Sequence, residues 1–222
     1  MKSNSTKKIK PAIKLQCEHV SYIFSNRDQS FGIERLVRAI LVIVPFVYPT
    51  LYVRHLTSKK GVAWRHIAVE ILVLSKVLIL LLLLSFAGGK VWAAYFSGYL
   101  VSETVLYLLA VVLLSDIYSP PISKGRSFIL LCINYIEINI GFSIIYLAIG
   151  GIECLSGKID ALYFSFVSFT TLGYGDKYPI IWQSKILVII QLMVMLLFVF
   201  LFFMNLVPRM KNANQRLHKD RS

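Results

Sequence analysis

The sequence predicts an all-α membrane protein from three observations: its composition, its apolar stretches and one short glycine-rich loop. Of the 222 residues, 57% are hydrophobic and 16% are charged, and the mean hydropathy is +0.68. Soluble domains carry about a quarter of charged residues, whereas long apolar runs are typical of membrane spans. The composition therefore excludes an ordinary soluble globular domain and a disordered chain.

The charge distribution also fits a membrane protein. The chain has 24 Lys and Arg against 11 Asp and Glu, a formal net charge of +13. These basic residues lie between the apolar stretches and near both termini, where the positive-inside rule places them in a membrane protein, so we expect no nucleic-acid partner. Residues 1–33 contain no apolar stretch followed by a small-residue cleavage site, so we expect no signal peptide and a basic cytoplasmic arm.

Four apolar stretches are long enough to cross a bilayer, which takes about 20 helical residues. They are 67–89, 91–115, 127–151 and 186–207, the last of which follows Lys185. The earlier segment 34–53 is short and contains Pro45 and Pro49. We favour an interfacial helix there over a further span, because a fifth crossing would move the basic arm outside, against the charge rule.

The chain divides at a linker, 119–126, where two prolines and a glycine stop any helix. The N-terminal membrane segments occupy 34–118 and a C-terminal membrane domain occupies 127–207, followed by a basic cytoplasmic tail, 208–222. We expect Pro208 to end the last helix.

Charged residues inside predicted spans are costly and normally pair or face water. They are Glu70, Lys76, Glu103 and Glu137. We hypothesise that Lys76 pairs with Glu103 or Glu137 and so attaches the 67–115 hairpin to the C-terminal domain. The alternative is that one or two of these residues lie near enough to an interface to stay hydrated.

Between the last two spans lies a helix, 160–170, that is too short to cross a membrane and precedes a glycine-rich turn. Irregular backbone at membrane depth is buried in protein or lines a water-filled path. Glycines on both sides of Tyr174 allow successive carbonyls to point the same way. A cation stripped of water needs oxygens on all sides, so several copies of the chain would surround a shared axis.

The loop sequence Thr-Thr-Leu-Gly-Tyr-Gly-Asp at 170–176 resembles the selectivity filter of potassium channels. The resemblance extends over about 126–210, with an aromatic-rich pore helix before the loop and a long inner helix after it. It implies that K⁺ is bound by four residues of the filter segment, 171–176: Thr171, Leu172, Gly173 and Tyr174. It also implies that the filter is supported by Thr170, Gly175, Asp176 and Tyr163. We further expect Asp160 to cap the pore helix.

The resemblance implies a homotetrameric potassium channel subunit, with outer helix 127–151, pore helix 160–170 and inner helix 184–207. The expected partners are copies of the chain and membrane lipid, without nucleic acid or a small-molecule substrate, and K⁺ is the permeant ion with no cofactor. The expected location is a cell membrane crossed several times, the inner membrane if the source is bacterial.

Passive conduction is favoured over enzymatic activity, because the sequence has no metal-ligand cluster, nucleophile motif or phosphate loop. Its three cysteines are too scattered for a disulfide framework or a zinc site, so we expect free thiols. No span has an arginine at every third position, which predicts weak regulation without a voltage sensor. Two alternatives stay open: a subunit of a potassium uptake transporter, and a nonconducting accessory membrane protein.

Overall fold

The computed structural model describes residues 12–25, 32–57, 62–114 and 124–219, and the predicted all-α membrane class is confirmed. The helices are α1 Ala12–Ser25, α2 Gly32–Ile43, a short 3-10 turn Val44–Val47, α3 Pro49–Thr57, α4 Val62–Ala87, α5 Val91–Leu113, α6 Lys124–Ile149, α7 Lys158–Phe169 and α8 Trp182–Lys219. The first eleven residues of the predicted arm and residues 115–123, which include most of the predicted linker, lie outside the described residues.

Within these described ranges, four helical stretches are long and apolar enough to cross a membrane. They are Ile67–Ala87, Val91–Leu113, Gly125–Ile149 and Trp182–Met204. They overlap the four stretches predicted to cross, so the protein is a multi-pass membrane protein with a hairpin, α4 and α5, before its C-terminal domain.

One of two compact units consists of Met1–Leu74 and Leu109–Ser119. In it the Gln16 amide donates to the Val42 carbonyl over 2.8 Å, joining α1 to α2. The predicted arm therefore contains a helix, α1, that its basic composition did not indicate. Exposed apolar residues recur along α2 at helical spacing: Ile33, Leu36, Ile40 and Ile43. The axis bends by 70° before α3, which fits a broken span or a re-entrant segment.

The other unit consists of Ser75–Leu108 and Pro120–Ser222 and contains the C-terminal domain. Its core is formed by apolar side chains of α4, α5 and α6: Leu80, Leu84, Ala87, Ala93, Leu100, Ile140 and Ile144. At the α5–α6 contact a Cβ on Gly141 would lie 2.2 Å from Cγ2 of Val101, and Ser97 Oγ donates to the Gly141 carbonyl at 2.9 Å. A glycine is needed there because the helices approach too closely for a side chain.

In this unit the C-terminal end of α6 is where its sequence predicts it, whereas the C-terminal end of α8 is not. α6 stops at Ile149 because Gly150 and Gly151 adopt φ of 69° and 66°, the left-handed conformation of a helix C-terminus. α8, in contrast, continues through Pro208 to Lys219. The expectation that Pro208 ends the helix at 207 is wrong, since one proline removes a single backbone hydrogen bond and kinks a helix without necessarily stopping it.

Candidate functional site

The site begins at α7, a helix of 12 residues that starts at Lys158, two residues before the predicted start. Gly157 is its N-cap, and it makes no side-chain capping hydrogen bond. Asp160, in the first turn, accepts from the Ser156 amide at 3.0 Å and pairs with Lys177 at 3.3 Å. Asp160 also accepts from the amide of Gly157. It therefore caps the start of α7, but it does so by reaching back from the third helical position.

These contacts hold Asp160 in its charged form. The hydrogen bond from the Ser156 amide, followed by the hydrogen bond from Lys177, lowers the pKa of the Asp160 carboxyl below its ordinary value of 3.8. The carboxylate therefore connects the start of α7 to the residue that directly follows the filter segment.

The chain after the filter segment is attached to the chain after α6. Lys177 Nζ donates to the Cys154 carbonyl at 2.6 Å, and the Glu153 amide donates to the Tyr178 carbonyl at 2.9 Å. Ile152 and Pro179 form an antiparallel bridge beside them. Both ends of the 170–179 loop are thus fixed, one by α7 and one by this pairing.

The entry to the filter segment is fixed by the last turn of α7. The Thr170 amide donates to the Phe166 carbonyl at 2.9 Å, the Thr171 amide to Ser168 at 3.1 Å and the Leu172 amide to Val167 at 3.1 Å. A shift of the last turn of α7 would therefore move the first residues of the filter segment with it.

The backbone of the filter segment alternates in the sign of φ. Thr171, Gly173 and Gly175 have φ of 58°, 52° and 82°, whereas Leu172 and Tyr174 between them lie outside the positive-φ region. Positive φ at every second residue allows successive carbonyls to point the same way. Glycine adopts positive φ without strain, but Thr171 is a β-branched residue for which it is a genuine outlier.

The carbonyls of the filter segment are available to a ligand. All six residues are exposed in the single chain, Leu172 by 60% and Tyr174 by 67%. None of the described residues donates a hydrogen bond to the carbonyls of Thr171, Leu172, Gly173 or Tyr174. The filter segment thus contains four consecutive carbonyls without a donor among the described residues, and its apolar side chains are exposed in the single chain.

One predicted support residue, Tyr163, lies beside the filter segment, and a second, Asp176, is the last residue of that segment. The rings of Tyr163 and Tyr174 stack at 6.5 Å with an interplanar angle of 6°. Desolvation, and after it a hydrogen bond with the Asp176 carboxylate, raises the pKa of the Tyr163 hydroxyl. α7 therefore contacts the filter segment at its far end as well as at its entry.

An aromatic cluster packs behind α7. Tyr135 of α6 meets Phe169 edge-on at 5.1 Å, and Phe169 meets Phe198 of α8 at 5.6 Å. Phe169 is 2% exposed. These rings fill the space between the three helices, so they pack the site and do not line it.

A buried hydrogen-bond network, which we call the Gln191 network, also joins the three helices. Tyr146 donates to Gln191 Oε1 at 2.6 Å, and Gln191 Nε2 donates to the carbonyl and the hydroxyl of Ser165 at 3.0 and 2.9 Å. Ser165 Oγ donates to the Asn139 carbonyl at 2.8 Å. Sequence reasoning missed this network; the signal was a few polar residues inside otherwise apolar helices.

The hypothesis on Lys76 is confirmed. Its Nζ lies 2.7 Å from Glu103 Oε2, 3.7 Å from Glu137 Oε1 and 3.1 Å from Thr104 Oγ1. Thr104 in turn donates to Glu137 at 2.6 Å. One residue from α4, two from α5 and one from α6 thus form a buried ionic cluster that attaches the hairpin to the C-terminal domain.

Residues 135–212 match a family model described as an ion channel. The matched region runs from α6 through α7 and the filter segment into α8, so it contains every element of the site. This region is therefore similar to an ion channel domain, which supports the prediction of an ion channel pore at that level. No curated protein and no solved structure matches the chain.

Proposed function

We propose that the protein is a potassium-selective channel subunit, four copies of which surround one conducting pore. The single observation that carries this proposal is the filter segment, in which four consecutive carbonyls accept no hydrogen bond from the described residues and positive φ recurs at every second residue. Potassium channels replace the hydration shell of K⁺ with rings of backbone carbonyls, and the loop sequence resembles theirs.

The geometry supports Thr171, Leu172, Gly173 and Tyr174 as the ion ligands. They are consecutive in the chain, and positive φ at Thr171 and Gly173 allows their carbonyls to point the same way, so an ion passing along the filter segment would meet successive oxygens. The negative end of the α7 dipole lies at Phe169, directly before the filter segment, and favours a cation there. Conduction needs no bond to be made or broken, so the role of the protein is to fix oxygens at a constant spacing.

Four copies are proposed because one chain contributes oxygens from one side only. The exposure of Leu172 and Tyr174 supports a pore in which neighbouring chains cover these side chains. Cyclic symmetry is the usual way in which identical chains surround an axis. The other proposed partner is membrane lipid, which would contact the apolar side chains exposed on the outer faces of the spans.

The test is ion flux into liposomes that contain only the purified full chain, with K⁺ and Na⁺ gradients compared. We expect K⁺ flux to exceed Na⁺ flux strongly, and Gly173→Ala to abolish the preference, since a side chain at φ of 52° strains the strand. Gly98→Ala is the matched control, because a Cβ there meets nothing within 4 Å.

Equal K⁺ and Na⁺ flux from the wild-type chain would overturn the proposal of potassium selectivity. A selective flux that Gly173→Ala and Gly98→Ala reduce equally would contradict the assignment of the filter segment as the selective element.

A further inference from the structure

The Gln191 network lies entirely inside the C-terminal domain, behind the pore loop. Tyr146, Asn139, Ser165 and Gln191 are each 0% exposed. Each of these polar groups would cost free energy in a buried, membrane-embedded position if it were left unpaired. In this network every one of them has a partner.

The direction of each hydrogen bond is fixed by chemistry. The Ser165 carbonyl can only accept, so the group of Gln191 that faces it at 3.0 Å must be the NH₂. The amide oxygen then faces the Tyr146 hydroxyl, which donates. Because Gln191 Nε2 also donates to Ser165 Oγ, that hydroxyl uses its own proton for the Asn139 carbonyl. The chain of donors runs one way, from Tyr146 to Asn139, and no other orientation satisfies it.

The network ends on the backbone of α7 close to the filter segment. Ser165 precedes Phe166, Val167 and Ser168, whose carbonyls hold the amides of Thr170, Leu172 and Thr171. A shift of α7 along its axis, or a rotation about that axis, would break the hydrogen bonds of the Gln191 network. No water can replace them, because the residues of the network are fully buried. An apolar contact would tolerate such a shift, because apolar packing is not directional.

We infer that Gln191 is a positioning residue for ion selectivity: its amide fixes α7 relative to α6 and α8 and so fixes the spacing of the filter carbonyls. This inference rests on the proposed function, because spacing of the carbonyls matters only if they bind the permeant ion. Gln191 itself does not touch the ion path in this account; it acts through Ser165.

The test compares Gln191→Leu, which removes the amide and keeps an apolar side chain of similar size, with Met193→Leu as the matched control on the same helix. Met193 is 61% exposed. In liposomes that contain the full chain, we expect the K⁺ to Na⁺ flux ratio of Gln191→Leu to fall by about tenfold, because the variant removes all three hydrogen bonds of the amide. Met193→Leu should keep the wild-type ratio.

Tyr146→Phe is the milder variant, since it removes a single hydroxyl and keeps the ring. We expect it to lower the K⁺ to Na⁺ flux ratio by a smaller factor than Gln191→Leu does. It can replace Gln191→Leu in the test if that variant does not assemble. A purely structural role would reduce the total flux of both variants and leave the ratio unchanged, and that result would overturn the inference.

A second readout separates this inference from the proposed function. The amides of Thr170, Thr171 and Leu172 are hydrogen-bonded to the last turn of α7, so their hydrogen exchange reports whether that turn is held. Exchange should be faster in Gln191→Leu than in Met193→Leu, whether or not the wild type prefers K⁺. A wild type without K⁺ preference refutes the proposed function and with it the role in selectivity, while equal exchange in the two variants refutes the positioning itself.

Discussion

At the scale of single residues, Asp160 makes a pH-dependent contribution. Its pKa is lowered by the Ser156 amide and Lys177, so the carboxylate stabilises the folded loop at pH values above 3.8, the ordinary pKa, and loses this effect as the pH falls through the lowered pKa. The contacts that cause the shift are the ones that attach the start of α7 to the end of the filter segment.

We therefore expect the melting temperature of the wild-type protein in detergent to fall as the pH drops below about 4, and this fall to be smaller in Asp160→Asn. Glu153→Gln is the control, since Glu153 is an exposed carboxylate on the adjacent segment and should leave the wild-type fall unchanged. Identical pH profiles for wild type and Asp160→Asn would show that the carboxylate has no such role.

A second prediction at this scale concerns the close approach of α5 and α6. A Cβ on Gly141 would lie 2.2 Å from Cγ2 of Val101, a short and stiff side chain. We expect Gly141→Ala to lower the free energy of unfolding by about 1–3 kcal/mol, measured by thermal or denaturant unfolding in detergent.

Gly98→Ala is the matched control for Gly141→Ala, because it adds the same methyl group to the neighbouring helix in open space. Without a clash, replacing a helical glycine by alanine should be neutral or stabilising by up to about 1 kcal/mol. A Gly141→Ala protein as stable as Gly98→Ala would mean that the helices are free to separate there.

At the scale of helices, the buried ionic cluster attaches α4 and α5 to α6. Lys76→Met keeps the length of the side chain but leaves two buried carboxylates without their cation. Breaking a buried ion pair in this way costs about 3–5 kcal/mol, so we expect a loss of that order in the free energy of unfolding. Lys90→Met, at an exposed position in the hairpin turn, should cost far less.

Removing all three charges together distinguishes a broken ion pair from lost packing. The triple variant Lys76→Met, Glu103→Gln and Glu137→Gln leaves no buried charge and should recover most of the lost stability. A triple variant no more stable than Lys76→Met would point to packing of the lysine stem as the main contribution.

The elements also differ in how far the sequence predicted them. The spans and the pore loop were visible because a bilayer imposes a length and a composition on any helix that crosses it. The pairing of Lys76 followed from the cost of a buried charge. These constraints are local or involve very few candidate partners.

Other features depend on contacts that no local pattern encodes. The bonds of Gln191 to Ser165 and Tyr146 join residues 26 and 45 positions apart, and many polar residues of the chain were equally available as partners. The reach of Asp160 to Ser156 depended on where α7 begins, and helix boundaries are the least certain part of a sequence reading. The end of α8 was predicted wrongly because proline disfavours the interior of a helix but does not exclude it, and α8 continues past Pro208.

At the scale of the whole molecule, the proposed function depends on the association of several copies of the chain. In a single chain the filter segment is exposed, and none of the residues that the structure describes donates a hydrogen bond to its four carbonyls. The match to an ion channel family model covers this region. Four strands facing one axis would surround a dehydrated ion with oxygens and cover Leu172 and Tyr174. Selectivity would then be a property of the assembly and not of any one chain.

The most direct test is an experimental density map of the purified full chain in a K⁺ solution. The proposed function predicts four copies related by one axis. It also predicts density for ions on that axis, between the carbonyls of Thr171, Leu172, Gly173 and Tyr174. A monomer, or an assembly in which the filter segments face away from the axis, would contradict it.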